Sequence, residues 1–250
     1  MTGLVAFGRF ELRRLLRSWK FLSVTVGFPV IFYMLFLGNH SSTRVVDGTV
    51  DWPLYLMVSM CSFGALVTGL NAGGTRLSGE RASGWARQLR ATPLPARAHV
   101  SVKVLVSMLV VLPVLVLVEL VGWAGGGVRL DLGTWVELTV LLWVTALPFV
   151  VLGVFVGFMA SPETAYPVVT VLMFILGYFG GLFTPVSSMP SGLQAVAKVF
   201  PTYQHTSLGL TYLVGRGLWV GHALVLAAYV VALGALSIWK HRVDESRGVA

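Results

Sequence analysis

Charged side chains are scarce in this sequence. Of its 250 residues, 11% are Asp, Glu, Lys or Arg, whereas 56% are hydrophobic, and the mean hydropathy is +0.82. Soluble domains carry roughly 25% charged residues. Because so few charges cannot keep a globular protein in water, lipid has to cover much of this one. The composition therefore predicts an integral membrane protein.

Residues that hold metals or catalyse reactions are also few. The single cysteine, Cys61, excludes a disulfide framework, and the sequence has no CxxC or Cys/His cluster for a metal. HExxH and GxSxG motifs are absent. None of the four lysines follows a glycine, so a Walker A phosphate loop is missing as well. We therefore expect no enzyme activity, no metal and no cofactor on this chain.

Long apolar runs, in contrast, are abundant. A helix needs about 20 mostly apolar residues to cross the hydrocarbon core of a bilayer. Six stretches meet this requirement: 21–38, 53–72, 102–124, 135–159, 165–183 and 218–239. No segment between them is long enough for a soluble domain. The sequence thus predicts an all-α fold, a single domain over 1–250 with six transmembrane helices.

The basic residues are distributed unequally along the chain. Of 18 Lys and Arg residues, 14 lie in the N-terminal stretch, the second loop and the C-terminal tail. Short cytoplasmic loops retain Lys and Arg, so both termini are predicted to be cytoplasmic. The net charge of +8 then faces anionic lipid and a cytoplasmic partner, with no role for nucleic acid. The four basic residues on the outer side are Arg44, Arg129, Lys198 and Arg216.

The N-terminal stretch, 1–20, has an amphipathic pattern. Leu12, Leu15, Leu16 and Trp19 recur at helical spacing, and basic residues line another face. This pattern is typical of a helix that lies in the membrane interface. The alternative is a basic flank that only sets the topology.

The second cytoplasmic loop, 73–101, is longer than a connection requires. We expect a short amphipathic helix over 78–92, with Ser78 as its N-cap and Pro93 beyond its end. Such a helix could dock into a groove on another protein or lie on the lipid surface, and the pattern leaves both open.

The outer loop after 180 is too apolar for a solvated loop. Pro185, Pro190 and Pro201 prevent one long helix, and a single amphipathic helix fits between the last two prolines. Because irregular backbone at membrane depth must be covered by protein or line a cavity, we predict a partly re-entrant segment over 184–206.

Two carboxylates, Glu119 and Glu137, lie within predicted spans but close to tryptophans that mark the outer interface. They are either interfacial carboxylates or groups that couple transport to protons. An enzyme that uses the outer acids Asp47, Asp51 and Asp131 is an alternative function, although no His or Ser flanks them.

Three features on the six-span pattern together resemble the membrane subunits of type-2 ABC exporters. The predicted interfacial helix over 1–20 is similar to that family's connecting helix. Glu80-Arg81-x-x-Gly84 followed by Leu89, Thr92 and Pro93 is similar to the coupling-helix signature of that family. Gly181-x-Phe183-x-Pro185, continuing through Pro190 to Pro201, is similar to its segment before the last span. Two departures are Met189, where the family usually has Leu, and the absence of an Arg at 207–210.

The resemblance implies how such a chain works. Two permease copies, here a homodimer in a bacterial plasma membrane, would enclose a pathway, and two cytoplasmic ABC ATPase subunits would bind ATP and Mg. The residues implied to couple to the ATPase are Glu80, Arg81, Gly84, Trp85, Leu89, Thr92 and Pro93.

The resemblance also implies that spans two and five line the pathway. The candidate pathway residues are Tyr55, Phe63, Asn71, Phe174, Tyr178 and Phe179, and the candidate outer gate is Phe183, Pro185, Pro190 and Pro201. Aromatic side chains suit a bulky amphipathic or hydrophobic substrate, such as a drug or a lipid-like compound. Helix packing is the alternative role for each of these residues. A sodium or polysaccharide exporter, or a subunit that senses or assembles without transporting, are the alternative functions.

Overall fold

A computed structural model describes residues 9, 13, 17–38, 44–45, 49–82, 96–215 and 219–246. Within these ranges the side chains of 19–22, 24, 44, 96–100 and 241–246 are not described. The helices are α1 (Trp19–Leu37), α2 (Trp52–Leu70), α3 (Arg76–Ala82), α4 (Ala96–Ala124), α5 (Leu132–Thr145), α6 (Leu147–Met159), α7 (Pro162–Phe179), α8 (Ser191–Ala197), α9 (Pro201–Leu213) and α10 (Trp219–Ser246). A π-helical segment, Asn71–Thr75, joins α2 to α3, and a 3₁₀ turn occupies Val186–Ser188. Two short strands, β1 (Arg44–Val45) and β2 (Val50–Asp51), pair antiparallel before α2.

Five stretches of this structure are long and apolar enough to cross a membrane: Trp52–Ala82, Ser101–Ala124, Leu132–Met159, Pro162–Phe179 and Trp219–Lys240. They correspond to predicted spans two to six. Predicted span one overlaps α1, in which the stretch Thr25–Leu37 is apolar but shorter than the other five. The predicted class of an all-α polytopic membrane protein agrees with this architecture, and the count of six spans stays a prediction.

Helix α2 forms the centre of the fold. Nearly all of its residues are buried, and α1, α4, α6, α7 and α9 all pack against it. By contrast, α10 packs on α6 and α9 and leaves most of its surface exposed. In a membrane, lipid or another subunit covers such an apolar face, because hydrocarbon replaces water as the solvent.

Proline and glycine set where several of these helices break. Pro148, at the start of α6, has no backbone N–H to donate to α5. The turn at the α5–α6 junction is tighter than an α-helical turn, because the Ala146 N–H donates to the Trp143 carbonyl at 3.2 Å. Helix α7 ends at Phe179 rather than at 183 as predicted, because Gly181 adopts a φ of +79°, which suits glycine.

The stretch between α7 and α10 contains two helices. Helix α8 lies between Pro190 and Pro201, as predicted, and α9 starts at Pro201, where the missing N–H costs nothing. Helix α9 packs against α2, α5 and α10 and buries most of its first three turns. Whether 184–206 is re-entrant stays a prediction.

Candidate functional site

An aromatic groove lies between α1, α7 and the turn that follows α7. Its volume is about 560 Å³, and its lining residues are Phe32, Phe36, Phe174, Ile175, Tyr178, Phe179, Phe183 and Thr184. The side-chain polar groups in this lining are the hydroxyls of Tyr178 and Thr184. An apolar concave surface with few polar groups is typical of a site for a hydrophobic or amphipathic small molecule.

Phe183 lies at the inner wall of this groove. Its ring centroid is 5.5 Å from that of Phe32, 6.2 Å from that of Phe36 and 5.2 Å from that of Phe63. A Cβ on Gly177 would lie 3.1 Å from the Phe183 ring, so glycine leaves the space that this ring fills. Edge-on aromatic pairs contribute about 0.5–1.5 kcal/mol each beyond burial. The turn after α7 is thereby fixed against α1 and α2.

The structure brings together only some of the candidate pathway residues. Phe174, Tyr178 and Phe179 lie side by side in the groove, and Phe63 contacts it through Phe183. Phe32 and Phe36 on α1 also line the groove, although the sequence did not predict them as pathway residues. The repeat Phe28-x-x-x-Phe32-x-x-x-Phe36, which places three rings on one helix face, was the available signal.

Tyr55 and Asn71 lie elsewhere. The Tyr55 hydroxyl donates a hydrogen bond to the Gly181 carbonyl and lines a second cavity, which we name the outer cavity after the side on which the predicted topology places it. Asn71 begins the π-helical segment, where its amide donates to the Val67 carbonyl at 2.9 Å and approaches the Met173 sulfur at 3.8 Å. Polar side chains that satisfy carbonyls in this way stabilise the wide turn.

The candidate gate residues are divided between the groove and the outer cavity. Phe183 belongs to the groove and Pro185 to the wall of the outer cavity, while Pro190 is the N-cap of α8 and Pro201 begins α9. The gating role assigned to these four residues stays a prediction.

The end of the α2–α3 helix that carries Glu80 and Arg81 is fastened to two other helices. Glu80 is buried and forms an ion pair with Lys103 of α4. Arg81 donates to the carbonyls of Gly157 at 3.2 Å and Phe158 at 2.6 Å, and its guanidinium lies 5.8 Å from the centre of the Phe158 ring. Both residues therefore hold α3 against α4 and the end of α6.

The prediction that Ser78 caps a new helix was wrong. Ser78 lies inside α3, is buried, and donates its hydroxyl to the Thr75 carbonyl at 3.0 Å. The helix continues because Leu77 is buried against Val154 and Phe158, which outweighs the local preference of serine for an N-cap. The other coupling candidates, Gly84, Trp85, Leu89, Thr92 and Pro93, lie outside the described residues, as does most of the helix predicted over 1–20.

Glycines allow α2 and the π-helical segment to touch α6 backbone to backbone. A Cβ on Gly73 would lie 2.5 Å from the Val154 nitrogen, and one on Gly157 would lie 2.6 Å from the Gly73 carbonyl oxygen. Gly69 and Gly153 face each other in the same way, so each helix carries a GxxxG pair. Such pairs let membrane helices approach closely and gain dispersion contacts. This contact joins the helix of Glu80 and Arg81 to the helix whose carbonyls Arg81 binds.

A buried polar network, not anticipated from the sequence, connects α2, α5 and α9. The imidazole of His205 is fully buried; its Nδ1 lies 2.7 Å from the Ser62 hydroxyl and its Nε2 lies 2.9 Å from the Leu142 carbonyl oxygen. The Thr206 hydroxyl donates to Ser62 at 3.0 Å. Because a carbonyl oxygen can only accept a hydrogen bond, the contact with Leu142 is a hydrogen bond when Nε2 carries the proton.

The acidic residues have structural partners. Glu119 is 5% exposed, and Oε2 accepts a 2.6 Å hydrogen bond from Thr139, while Oε1 has no partner among the residues that the structure describes. Exposed Glu137 accepts from the Tyr212 hydroxyl. Glu119 therefore lies between helices rather than at an open interface.

Asp131 acts as an N-cap. The Thr134 hydroxyl and backbone N–H both donate to its carboxylate at the start of α5 and hold its pKa below the usual range of an aspartate. Asp47 lies outside the described residues. Within the described part of the chain, no cluster of three or more His, Cys, Asp or Glu could hold a metal.

Comparisons with known proteins agree with this architecture. A family model described as "ABC-2 family transporter protein" matches residues 43–239, which is more than half of the chain. The chain is also 29% identical over 238 residues to a protein of Bacillus subtilis (strain 168) named "Putative transport permease YvfS", and the alignment covers 94% of this chain and 96% of that protein. These matches confirm the resemblance seen in the motifs, and membership of the family implies association with an ABC ATPase subunit. The chain belongs to the ABC-2 family of transporter proteins and is a multi-pass permease of the cell membrane.

Proposed function

We propose that this permease exports a bulky amphipathic or hydrophobic compound through the aromatic groove. The groove is the observation that carries the proposal. Its volume of about 560 Å³ falls within the roughly 300–1,000 Å³ typical of small-molecule sites. Its aromatic lining would take up apolar surface, whereas a small hydrated ion needs oxygen ligands that this lining does not concentrate.

The proposed complex contains two copies of the permease and two ATPase subunits. The transported molecule would move along a pathway between the copies, to which the exposed rings of Phe174 and Tyr178 belong. ATP and Mg would be bound on the ATPase subunits. In each copy six spans would cross the membrane, with both termini on the cytoplasmic side, where the basic residues are concentrated.

Coupling to the ATPase would use the cytoplasmic end of the α2–α3 helix. The α2, π-helical and α3 segments follow one another without a gap, so a displacement at Glu80 is carried towards the level of Phe63. Arg81 and the glycine contact would make α6 move with this helix. Residues 80–89 would contact the ATPase, with Trp85 and Leu89 as apolar contacts.

The test is ATPase stimulation in the assembled transporter. The permease is purified with its ATPase, reconstituted in lipid vesicles, and screened with amphipathic cations, lipid-like compounds, sodium and polysaccharide precursors. We expect stimulation by amphipathic compounds. Phe174→Ala and Tyr178→Ala should raise the concentration needed for half-maximal stimulation by about tenfold each, since losing a buried ring contact removes 1–3 kcal/mol.

A matched control separates this outcome from a general defect. Tyr166 is an exposed aromatic residue of the same helix outside the groove lining, so Tyr166→Ala should leave stimulation unchanged. Stimulation by sodium or by polysaccharide precursors alone would contradict the proposed substrate class. Equal effects of all three substitutions would show that the groove does not bind the substrate.

A further inference from the structure

A second cavity, of about 340 Å³, opens on the opposite side of the turn that follows α7. Gly180, Gly181 and Pro185 of this turn form one wall, whereas Phe179, Phe183 and Thr184 face the aromatic groove. The other walls come from the start of α2, from α8 and α9, and from the start of α10. The turn therefore separates an apolar site from a polar one.

The lining of this outer cavity has a positive charge balance. Lys198 and His222 are among its lining residues, and none of the residues that form its described walls is Asp or Glu. Lys198 is exposed and makes no ion pair with any residue within the described ranges. The ammonium of this lining residue is thus available to a ligand.

Hydrogen-bond donors and apolar groups complete the walls. Tyr203 packs its ring 6.3 Å from that of His222. The hydroxyls of Thr206 and Thr211 are bonded within the protein, whereas that of Tyr203 makes no hydrogen bond inside the part of the chain described. Val186, Leu210 and Val214 supply an apolar side. An anion that carries a short apolar portion matches this combination.

The cavity is held in shape by bonds that do not involve the Lys198 side chain. Tyr55 fastens the start of α2 to the Gly181 carbonyl, and Thr202 fastens α9 to the Leu176 carbonyl at 2.6 Å. The Gln204 amide donates to the Lys198 backbone carbonyl and accepts from His222 Nδ1. A site organised before binding loses less entropy when a ligand enters it.

We propose that the outer cavity binds an anionic headgroup, phosphate or carboxylate, with the Lys198 ammonium as its charge partner and the Tyr203 hydroxyl as a donor. This site goes beyond the proposed export function, because it lies on the other side of the turn from the groove and its occupancy needs no ATPase. Lys198 is one of the four basic residues on the predicted outer side, so the headgroup would come from that side.

The test uses the purified full-length permease without its ATPase. Binding of dihexanoyl phosphatidylglycerol, dihexanoyl phosphatidylcholine and inorganic phosphate is measured by microscale thermophoresis. We expect saturable binding of the phosphatidylglycerol. Lys198→Met should raise its Kd by about tenfold, since a hydrogen bond to a charged group is lost, and Tyr203→Phe should raise it by about threefold.

Two further variants control for charge and folding. Lys198→Arg keeps the charge and should bind as the wild type does. Arg129→Met removes another exposed outer cation, which stacks on Trp123 away from the cavity, and should leave the Kd unchanged. Because the Lys198 side chain makes none of the bonds that hold the cavity, Lys198→Met should unfold at the wild-type temperature.

The ligands distinguish the source of the anion. Binding of both phosphatidylglycerol and inorganic phosphate, each dependent on Lys198, assigns the site to any phosphate; binding of the lipid alone assigns it to an amphiphile. No saturable binding of either, equal Kd values for phosphatidylglycerol and phosphatidylcholine, or no difference between Lys198→Met and Arg129→Met would overturn the proposal.

Discussion

Substitution of Glu80 tests whether this residue holds the fold together or contacts the ATPase. The side chains of Glu80 and Lys103 are 7% and 12% exposed in their ion pair. Removing one partner of a buried pair leaves the other charge uncompensated and costs about 3–5 kcal/mol. Because both groups keep some exposure, we expect the lower end, about 3 kcal/mol, for Glu80→Ala. In a chain of this size that corresponds to a fall of about 6–12 °C in the apparent Tm.

The assay is thermal unfolding of the purified permease in detergent, followed by intrinsic fluorescence. Glu163→Ala is the matched control: Glu163 is exposed and accepts one hydrogen bond from Ser161, so its loss should change stability by less than about 0.5 kcal/mol. The charge-swapped pair Glu80→Lys with Lys103→Glu should recover part of the lost stability. An unchanged Tm in Glu80→Ala, together with lost ATPase binding, would refute the structural role and assign Glu80 to the partner interface.

The remaining predictions concern helix packing and topology. Gly153→Ala should lower the free energy of unfolding by about 3 kcal/mol, because its Cβ would overlap the Gly69 carbonyl and backbone cannot easily move away. Gly234→Ala, with open space around it, is the control and should not destabilise the protein. Equal Tm values for the two variants would contradict the close helix contact. A reporter fused after Ala250 should be cytoplasmic and one inserted within 41–51 should be external, since the basic residues are concentrated on the side of both termini. Reversed reporter signals would overturn the span assignment.

The membrane helices were predictable because their signal is local. An apolar run of sufficient length specifies a span whatever lies next to it, so the four stretches from Ser101 to Lys240 lie within a few residues of the predicted ranges. The stretch that begins at Trp52 instead continues to Ala82, ten residues beyond its predicted end. Helix ends were less predictable. Ser78 has the local preference of an N-cap, yet burial of Leu77 against α6 extends the helix through it. This contact joins residues that are distant in sequence, and a local pattern does not encode it.

Residues that are neighbours in sequence were also easier to assign to one site than residues from distant helices. Phe174, Tyr178 and Phe179 are neighbours in sequence and line one groove, whereas their assignment to a transport pathway stays a prediction. The pairing of Glu80 with Lys103, and of Ser62 with His205, depends on how helices that are distant in sequence pack against each other. A histidine in an apolar stretch was a visible signal for a buried polar network, but its partners required the three-dimensional structure.

The π-helical segment constrains how many residues the second span can contain. One α-helical residue advances the helix by about 100°, and a π-helical turn accommodates one residue more than an α-helical turn. If Asn71–Thr75 relaxed into a regular α-helix with all of its residues kept, everything beyond it would rotate by about 100° relative to α2, whereas deleting one residue at the same time would cancel that rotation. Without the deletion, Glu80 would face away from Lys103, and Arg81 away from the end of α6. The helical register between α2 and α3, more than the identity of the apolar residues, determines whether both ends of this helix contact their partner helices at the same time.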